Sequence, residues 1–163
     1  MFKKGLPTLV VLLFVAGTAF YFFRPAAQSR ICINDKIYTS LEEALTEPEQ
    51  VCILDLRGQT LTYLPSHIGE LKNLSELYLN NNNLSDLPPE FTQLKNLEWL
   101  HLSMNRFTEF PAAIFGLSQL TGLDLSYNRL SRIPPDIQAL KNLHELYLPV
   151  SYTHLTLPTT PYV

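Results

Sequence analysis

Residues 74–96 read LSELYLNNNNLSDLPPEFTQLKN, and this pattern occurs four times in succession along the chain. The copies begin at positions 51, 74, 97 and 120, and a fifth, truncated copy begins at 143, so the starts are evenly spaced. A constant period of this length is typical of solenoids, in which each repeat is one structural unit that stacks on its neighbours. We therefore predict that residues 51–148 form one repeat domain.

The same types of residue recur at the same places in every copy. Leucines two apart, such as Leu77 and Leu79, have the period of a strand with one buried face. An asparagine follows, and we expect its buried amide to bond the main chain of the turn. An apolar residue, a proline and two apolar residues three apart then predict a short helical or 3₁₀ turn. The asparagines are Asn82, Asn105 and Asn128, and Gln59 replaces them in the first copy.

These 23-residue copies with their Leu-Pro pair resemble leucine-rich repeats. They are most similar to the subclass of plant Ras-group, scribble-like and bacterial surface proteins. The resemblance implies an α/β solenoid with a parallel sheet on its concave side and short helical or 3₁₀ turns on its convex side. It also implies binding to other proteins through the concave sheet, without indicating which partner is bound.

The residues that alternate with the buried leucines form the predicted binding surface. Adjacent strands lie about 4.8 Å apart, so the outward side chains of successive copies are neighbours. Trp99 lies near the centre, among other exposed aromatic and charged residues, which is the composition of binding hot spots. We assign no role to Met104. The predicted binding residues are Glu76, Tyr78, Asn80, Glu98, Trp99, His101, Ser103, Asp124, Tyr127, Glu145 and Tyr147. The alternative is a solvated sheet whose aromatic residues only pair across strands.

Catalysis has little support in the sequence. His101 and Asp124 are predicted lateral neighbours and could orient a general base, but no nucleophile accompanies them, and we favour a simple cross-strand ion pair. Phosphate-binding glycine loops and metal-ligand spacings do not occur, so we predict no enzyme, cofactor, metal or small-molecule substrate. The net charge is −3 for the chain and −6 beyond Arg24, with 9 basic and 15 acidic residues there, which argues against nucleic acid.

An uncharged apolar run, Leu6–Phe23, precedes the repeats. A helix of this length spans roughly 27 Å, and lysines precede it while aromatic residues end it, as in a membrane anchor. We predict that residues 1–24 form a single-pass signal-anchor transmembrane helix, with the repeats on the periplasmic or extracellular side. The alternative is a cleaved signal peptide and a secreted protein.

Residues 25–50 are predicted to cap the N-terminal end of the repeats. We expect a short strand around Ile31–Ile33 and a helix from Ser40, with Ser40 and Glu43 forming a capping box. Cys32 and Cys52 are the only cysteines, and an even pair in an exported domain favours a disulfide between cap and first repeat. The alternative is two buried free thiols.

Residues 149–163 interrupt the repeat pattern. Pro149 stands where an outward strand residue is expected, and Ser151 replaces the asparagine. Residues 150–159, VSYTHLTLPT, resemble the translation of a sequencing-library adapter, so we predict that the tail is artefactual. The natural chain would then continue beyond Leu148. This leaves an alternative function, that of a regulatory N-terminal part of a larger enzyme or receptor.

Overall fold

The computed structural model describes residues 10–11 and 36–148, and its strands join in one parallel sheet. The order across the sheet is β1-β7-β6-β5-β4-β3-β2, so the five repeat strands follow one another in chain order. The strands are β1 Val10–Val11, β2 Ile37–Tyr38, β3 Ile53–Asp55, β4 Glu76–Tyr78, β5 Trp99–His101, β6 Gly122–Asp124 and β7 Glu145–Tyr147. The helical elements are α1 Leu41–Ala44 and 3₁₀ helices at Pro48–Gln50, Ser66–Glu70, Pro89–Gln93, Ala112–Gly116 and Pro135–Ala139.

The register of the sheet follows the period of the sequence. Each residue of a repeat strand pairs with the equivalent residue of the next repeat, so that Leu77 faces Leu100 and Leu100 faces Leu123. These central leucines are completely buried, as are Leu79 and Leu102 after the strands. The predicted alternation of buried and outward residues is therefore confirmed, and the core is a continuous row of stacked leucines between the sheet and the 3₁₀ helices.

The predicted asparagine ladder is present. Asn105 donates through Nδ2 to the carbonyls of Leu79 (2.9 Å) and Leu102 (3.0 Å), and its Oδ1 accepts from the Leu84 amide at 3.0 Å. Asn82 and Asn128 repeat this arrangement, and all three are nearly completely buried. In the first copy the longer Gln59 is exposed and reaches the carbonyl of Thr39 in the cap at 2.8 Å.

A second asparagine ladder runs along the opposite side of the repeats, and our sequence analysis missed it. Asn73, Asn96 and Asn142 each donate through Nδ2, at 2.8 Å, to a main-chain carbonyl of the preceding repeat or cap. The sequence feature that could have predicted this ladder is the Leu-Lys-Asn triplet that ends three of the copies. Its amides tie each 3₁₀ segment to the preceding one, where a short helix leaves carbonyls without partners.

A column of left-handed residues turns the chain after each strand. Gly58, Asn81, Met104 and Tyr127 occupy the same place in successive repeats and have φ values of 67°, 56°, 56° and 53°. Glycine and asparagine adopt this conformation readily, whereas other L-residues do so at a cost. Methionine and tyrosine therefore occupy positions that the backbone disfavours.

The N-terminal cap differs in part from the prediction. Ser40 caps α1 by accepting from the Glu43 amide at 3.4 Å, but the Glu43 carboxylate pairs with Lys36 at 3.0 Å, so only half of the capping box is present. The strand that pairs with the first repeat is β2, while the strand predicted at Ile31–Ile33 lies outside the described residues. Cys52 is disulfide-bonded, and Cys32 also lies outside the described residues.

The predicted anchor and the predicted tail are mostly outside the described part of the chain. Of Leu6–Phe23, the structure describes Val10–Val11, which form a strand beside β7 where the sequence predicted helix. The main chain of β1 pairs with the edge of β7 that faces away from β6. Within residues 10–11 and 36–148, no helix has the length and apolar character needed to cross a membrane. Residues 149–163 are not among those described.

Candidate functional site

The outward residues of β3–β7 and those just after them form one continuous surface, which we call the sheet surface. Parallel pairing in steps of one repeat places equivalent side chains side by side across the strands. Most of these side chains are half-buried, since each packs against the equivalent residues of neighbouring repeats. The sheet surface comprises Ile53, Asp55, Arg57, Glu76, Tyr78, Asn80, Trp99, His101, Ser103, Gly122, Asp124, Ser126, Glu145 and Tyr147.

Three rings and one guanidinium stack across the sheet surface. The Tyr78 and His101 rings are parallel within 4°, with centroids 4.5 Å apart, because the register places these residues opposite each other. The Trp99 ring lies 5.4 Å from that of His101, and the Arg57 guanidinium lies 4.9 Å above Tyr78. Arg57, Tyr78, His101 and Trp99 thus form a stack across three repeats.

Trp99 lies flat on the adjacent strand instead of standing away from it. A Cβ atom placed on Gly122 would lie 2.5 Å from three carbon atoms of the indole, so the ring occupies the space that a side chain at 122 would need. The ring covers Gly122, which is buried, and Trp99 itself is half-buried. Trp99 is therefore less exposed than the sequence predicted, because the glycine beside it leaves room for the ring. Its role as a binding anchor stays a prediction.

Two other predicted binding residues are also less accessible than expected. Ser103 is buried, and its Oγ accepts a hydrogen bond of 2.6 Å from Asn80 Nδ2. Glu98 is half-buried and precedes β5, so it alternates with the outward residues and lies at the start of the strands, in the column of the buried Ser75. The Ser103 side chain is therefore closed to solvent, and Glu98 lies outside the sheet surface, at the start of the strands.

The most exposed apolar side chains beside the sheet belong to Met104 and Tyr127. They are 52% and 64% exposed, and both belong to the left-handed column immediately after the strands. Our sequence analysis included Tyr127 but gave Met104 no role. The column was visible as a recurrence at the repeat period, but nothing in the sequence revealed its backbone conformation.

His101 and Asp124 do not form the predicted ion pair, although the register makes them neighbours. The His101 Nε2 atom instead lies 3.8 Å from Glu76 Oε1, which is within reach of an ion pair but too far for a hydrogen bond. Asp124 Oδ1 accepts from the Ser126 amide (2.9 Å) and hydroxyl (2.6 Å). The carboxylate therefore does not orient the imidazole, and the pair lacks the geometry of a general base with its partner.

Local contacts shift the pKa values of several groups on this surface. Hydrogen bonds from Arg57 hold the pKa of Asp55 below its usual value. Partial burial, followed by the hydrogen bond to Glu76, raises the pKa of Tyr78 to about 12. Burial and the bond to Glu145 likewise raise the pKa of Tyr147 to about 12. Both tyrosine hydroxyls therefore remain neutral hydrogen-bond donors at neutral pH.

The repeat geometry agrees with the comparison with known proteins. The pattern of the family described as Leucine rich repeat matches residues 49–107 and 96–150. The chain belongs to the leucine-rich repeat family. Repeats of this family typically form interaction modules and not catalytic sites. Among the residues that the structure describes, no group of three or more His, Cys, Asp or Glu side chains could hold a metal ion.

Solved structures show the same fold. A leucine-rich repeat protein of Leptospira interrogans is 35% identical over 71% of this chain and 38% of its own, with a TM-score of 0.51. An internalin of Listeria monocytogenes is 22% identical over 62% of this chain and 28% of its own, with a TM-score of 0.55. The chain thus spans well under half the length of either leucine-rich repeat protein. No curated protein sequence matches it significantly.

Proposed function

We propose that this chain is a leucine-rich repeat interaction module that binds a protein partner on its sheet surface, the concave side of such repeats. The observation that carries the proposal is the continuity of this surface across five strands, with an aromatic stack at its centre. The stack holds the surface side chains in place before binding. Preorganised aromatic groups lose little conformational freedom on association, which favours their use as contacts.

The unfavourable backbone conformation of Met104 and Tyr127 also supports the proposal. Each is held in a conformation that costs an L-residue roughly 1 kcal/mol or more, and each points more than half of its surface into solvent. In the free protein neither side chain offsets this cost through burial in the core. A contact with a partner would give both residues a function, since exposed aromatic residues are enriched at binding hot spots.

Alanine variants of the exposed side chains test the proposal. The partner is recovered by cross-linking to the full chain in an extracytoplasmic fraction, purified, and titrated against each variant. We expect Tyr127→Ala together with Met104→Ala to weaken binding by about 2 kcal/mol or more, roughly 30-fold. Tyr63→Ala is the matched control, because Tyr63 is 73% exposed but lies in the loop between β3 and the 3₁₀ helix Ser66–Glu70, outside the sheet surface. Loss of binding in the control, with no change in the double variant, would place recognition elsewhere.

We also propose that the module is exported and attached to a membrane through Leu6–Phe23. The support is the length, the lack of charge and the flanking residues of this run. The competing arrangement is a segment that stays with the repeats, as β1 does beside β7.

Membrane extraction at alkaline pH distinguishes these arrangements. We expect the full chain to remain in the pellet, and a variant with both Leu13→Arg and Phe14→Arg to be released. The matched control is Phe2→Arg, which adds charge outside the run. Release of the parent chain would refute the membrane attachment.

A further inference from the structure

The sheet surface contains the same four-residue arrangement twice, three repeats apart. Each quartet has two residues at the end of one repeat strand and two on the next strand. Corresponding members occupy the same places within their repeats, and three of the four places hold the same kind of side chain in both quartets. The first quartet is Asp55, Arg57, Glu76 and Tyr78, and the second quartet is Asp124, Ser126, Glu145 and Tyr147.

In the first quartet, the arginine is held from two directions. Arg57 donates through Nε to both oxygens of Asp55, at 2.9 and 3.0 Å, and through Nη2 to Oδ2. Its guanidinium also lies over the Tyr78 ring, 4.9 Å from the centroid. The Tyr78 hydroxyl donates to Glu76 at 2.7 Å, which fixes the ring. A carboxylate fork and an aromatic face together are a complete environment for a guanidinium.

The second quartet has the same framework with a serine in place of the arginine. Asp124 pairs with Tyr147 in the register that Asp55 and Tyr78 share, and the Tyr147 hydroxyl donates to Glu145 at 2.9 Å. Both hydrogen bonds from Ser126 go to Oδ1 of Asp124. Asp124 Oδ2, the counterpart of the oxygen that Arg57 Nη2 contacts, receives none of the hydrogen bonds formed by the described residues.

The charge of the sheet surface also favours a cationic group. It carries four carboxylates, from Asp55, Glu76, Asp124 and Glu145, against the single guanidinium of Arg57. With His101 neutral, the surface has a net charge of −3, and the one cation already pairs with Asp55. Asp124 and Glu145 of the second quartet form no ion pair with a cationic side chain of the described residues, so this part of the surface would attract a positively charged partner.

We propose that the second quartet binds an arginine side chain of the partner, in the position that Arg57 occupies in the first. The inference rests on the proposed function, because it concerns the partner of the same surface. Arginine fits better than lysine, since its planar fork can bridge the two oxygens of Asp124 while it stacks on an aromatic ring. The partner would therefore lay an arginine-bearing segment across β6 and β7, the last two repeat strands.

A capped Gly-Arg-Gly peptide is a direct probe of this site. It is titrated into the full chain in non-ionic detergent at low ionic strength and followed by amide chemical shifts. The matched probe is the same peptide with citrulline, which has nearly the same shape but no charge. We expect saturable shifts around Asp124 and Ser126, with citrulline binding weaker by about tenfold or more. Equal binding of the two peptides would overturn the proposal.

If the proposal holds, substitutions in the second quartet abolish peptide binding, whereas a substitution in the first quartet adds a second binding site. Ser126→Arg supplies the guanidinium from the chain itself and should abolish peptide binding, as should Asp124→Asn. Arg57→Ser should open the first quartet and raise the stoichiometry from one peptide to two. Asp136→Asn removes an exposed acid on a 3₁₀ helix and is the control. Amide shift dispersion verifies folding, and Asp124→Asn provides the test if Ser126→Arg does not fold.

The inference and the proposed function can fail separately. A purified partner that loses affinity with Tyr127→Ala but binds Ser126→Arg as it binds the parent would refute the arginine site and leave the binding surface intact. A partner that is insensitive to both substitutions would refute the proposed function itself. A loss of affinity with both substitutions supports the two together.

Discussion

Asn105→Ala should destabilise the protein by an amount that follows from its hydrogen bonds. Asn105 is 7% exposed, and its loss leaves the buried Leu84 amide without the Oδ1 acceptor. A stranded buried amide costs about 1–3 kcal/mol. The carbonyls of Leu79 and Leu102 each lose one donor but keep another, from Asn82 and Asn128 respectively.

The loss of these two shared bonds should cost about 0.5 kcal/mol each, the low end for a net hydrogen bond. The free energy of unfolding should therefore fall by roughly 2–4 kcal/mol in total. For a domain of this size the melting temperature would fall by roughly 8–16 °C.

The variant Asn105→Asp tests the donor group of the side chain separately from its acceptor group. The acceptor oxygen is kept, but a carboxylate oxygen replaces the donor and faces the two carbonyls. Burial and these carbonyl dipoles would raise the pKa of the new carboxyl above its unfolded value of about 3.9. Stability should then be greatest below the unfolded pKa and fall as pH rises through the folded pKa. At neutral pH this variant should be less stable than Asn105→Ala, and in acid the order should reverse.

Urea and thermal unfolding followed by circular dichroism measure both variants. The control is Asn96→Ala, which removes a single bond of 2.8 Å from the second ladder, to the carbonyl of Lys72. We expect the control to lose about 1 kcal/mol or less. Equal losses in Asn105→Ala and Asn96→Ala would show that the buried ladder is not the stronger of the two.

Three further predictions concern the sheet surface and the left-handed column. Gly122→Ala should displace the Trp99 ring and cost about 1–3 kcal/mol, with a shift in tryptophan fluorescence; an unchanged spectrum would refute the close contact. Tyr127→Asn should raise the free energy of unfolding, measured in urea, by up to about 1 kcal/mol, because Asn81 already holds this conformation in an earlier repeat. A lower free energy of unfolding would mean that the Tyr127 ring contributes to folding. Partial burial and the bond to Glu76 raise the pKa of Tyr78 from 10.0 to about 12, so its stabilising contribution should decline as pH rises through this interval. Ultraviolet titration of tyrosinate should show Tyr78 ionising late, and an ordinary midpoint would contradict both the burial of the ring and its bond to Glu76.

The repeat framework could be predicted because each copy repeats the same local chemistry. Leu77 and Leu100 alternate with polar residues, and this pattern alone predicts which face of each strand is buried. Asn82 and Asn105 follow the strands at a fixed distance, where a turning main chain needs an amide with both donors and an acceptor. Because every copy has the same length, equivalent residues of neighbouring copies must pair across the sheet, and the period therefore predicts the strand register.

The details of the candidate site could not be predicted in this way. Whether Trp99 stands up or lies flat depends on Gly122, which is one full repeat away in sequence and adjacent in the sheet. Ser103 is buried because Asn80 of the preceding repeat reaches across to it. Met104 is exposed in a left-handed turn because its repeat follows the backbone of its neighbours, whatever residue stands there.

The sequence by itself determined the stack of repeats, since the constant period dictates which residues meet and the leucines dictate which side is buried. Only the tertiary structure decided what the outward residues do with one another. Arg57 pairs with Asp55 and lies over the Tyr78 ring, whereas the serine hydroxyl at the matching place three repeats later bonds to Asp124. These arrangements depend on side-chain contacts within and between strands. The physical reason is that burial repeats with the period, whereas each outward side chain settles according to the particular neighbours it meets across the sheet.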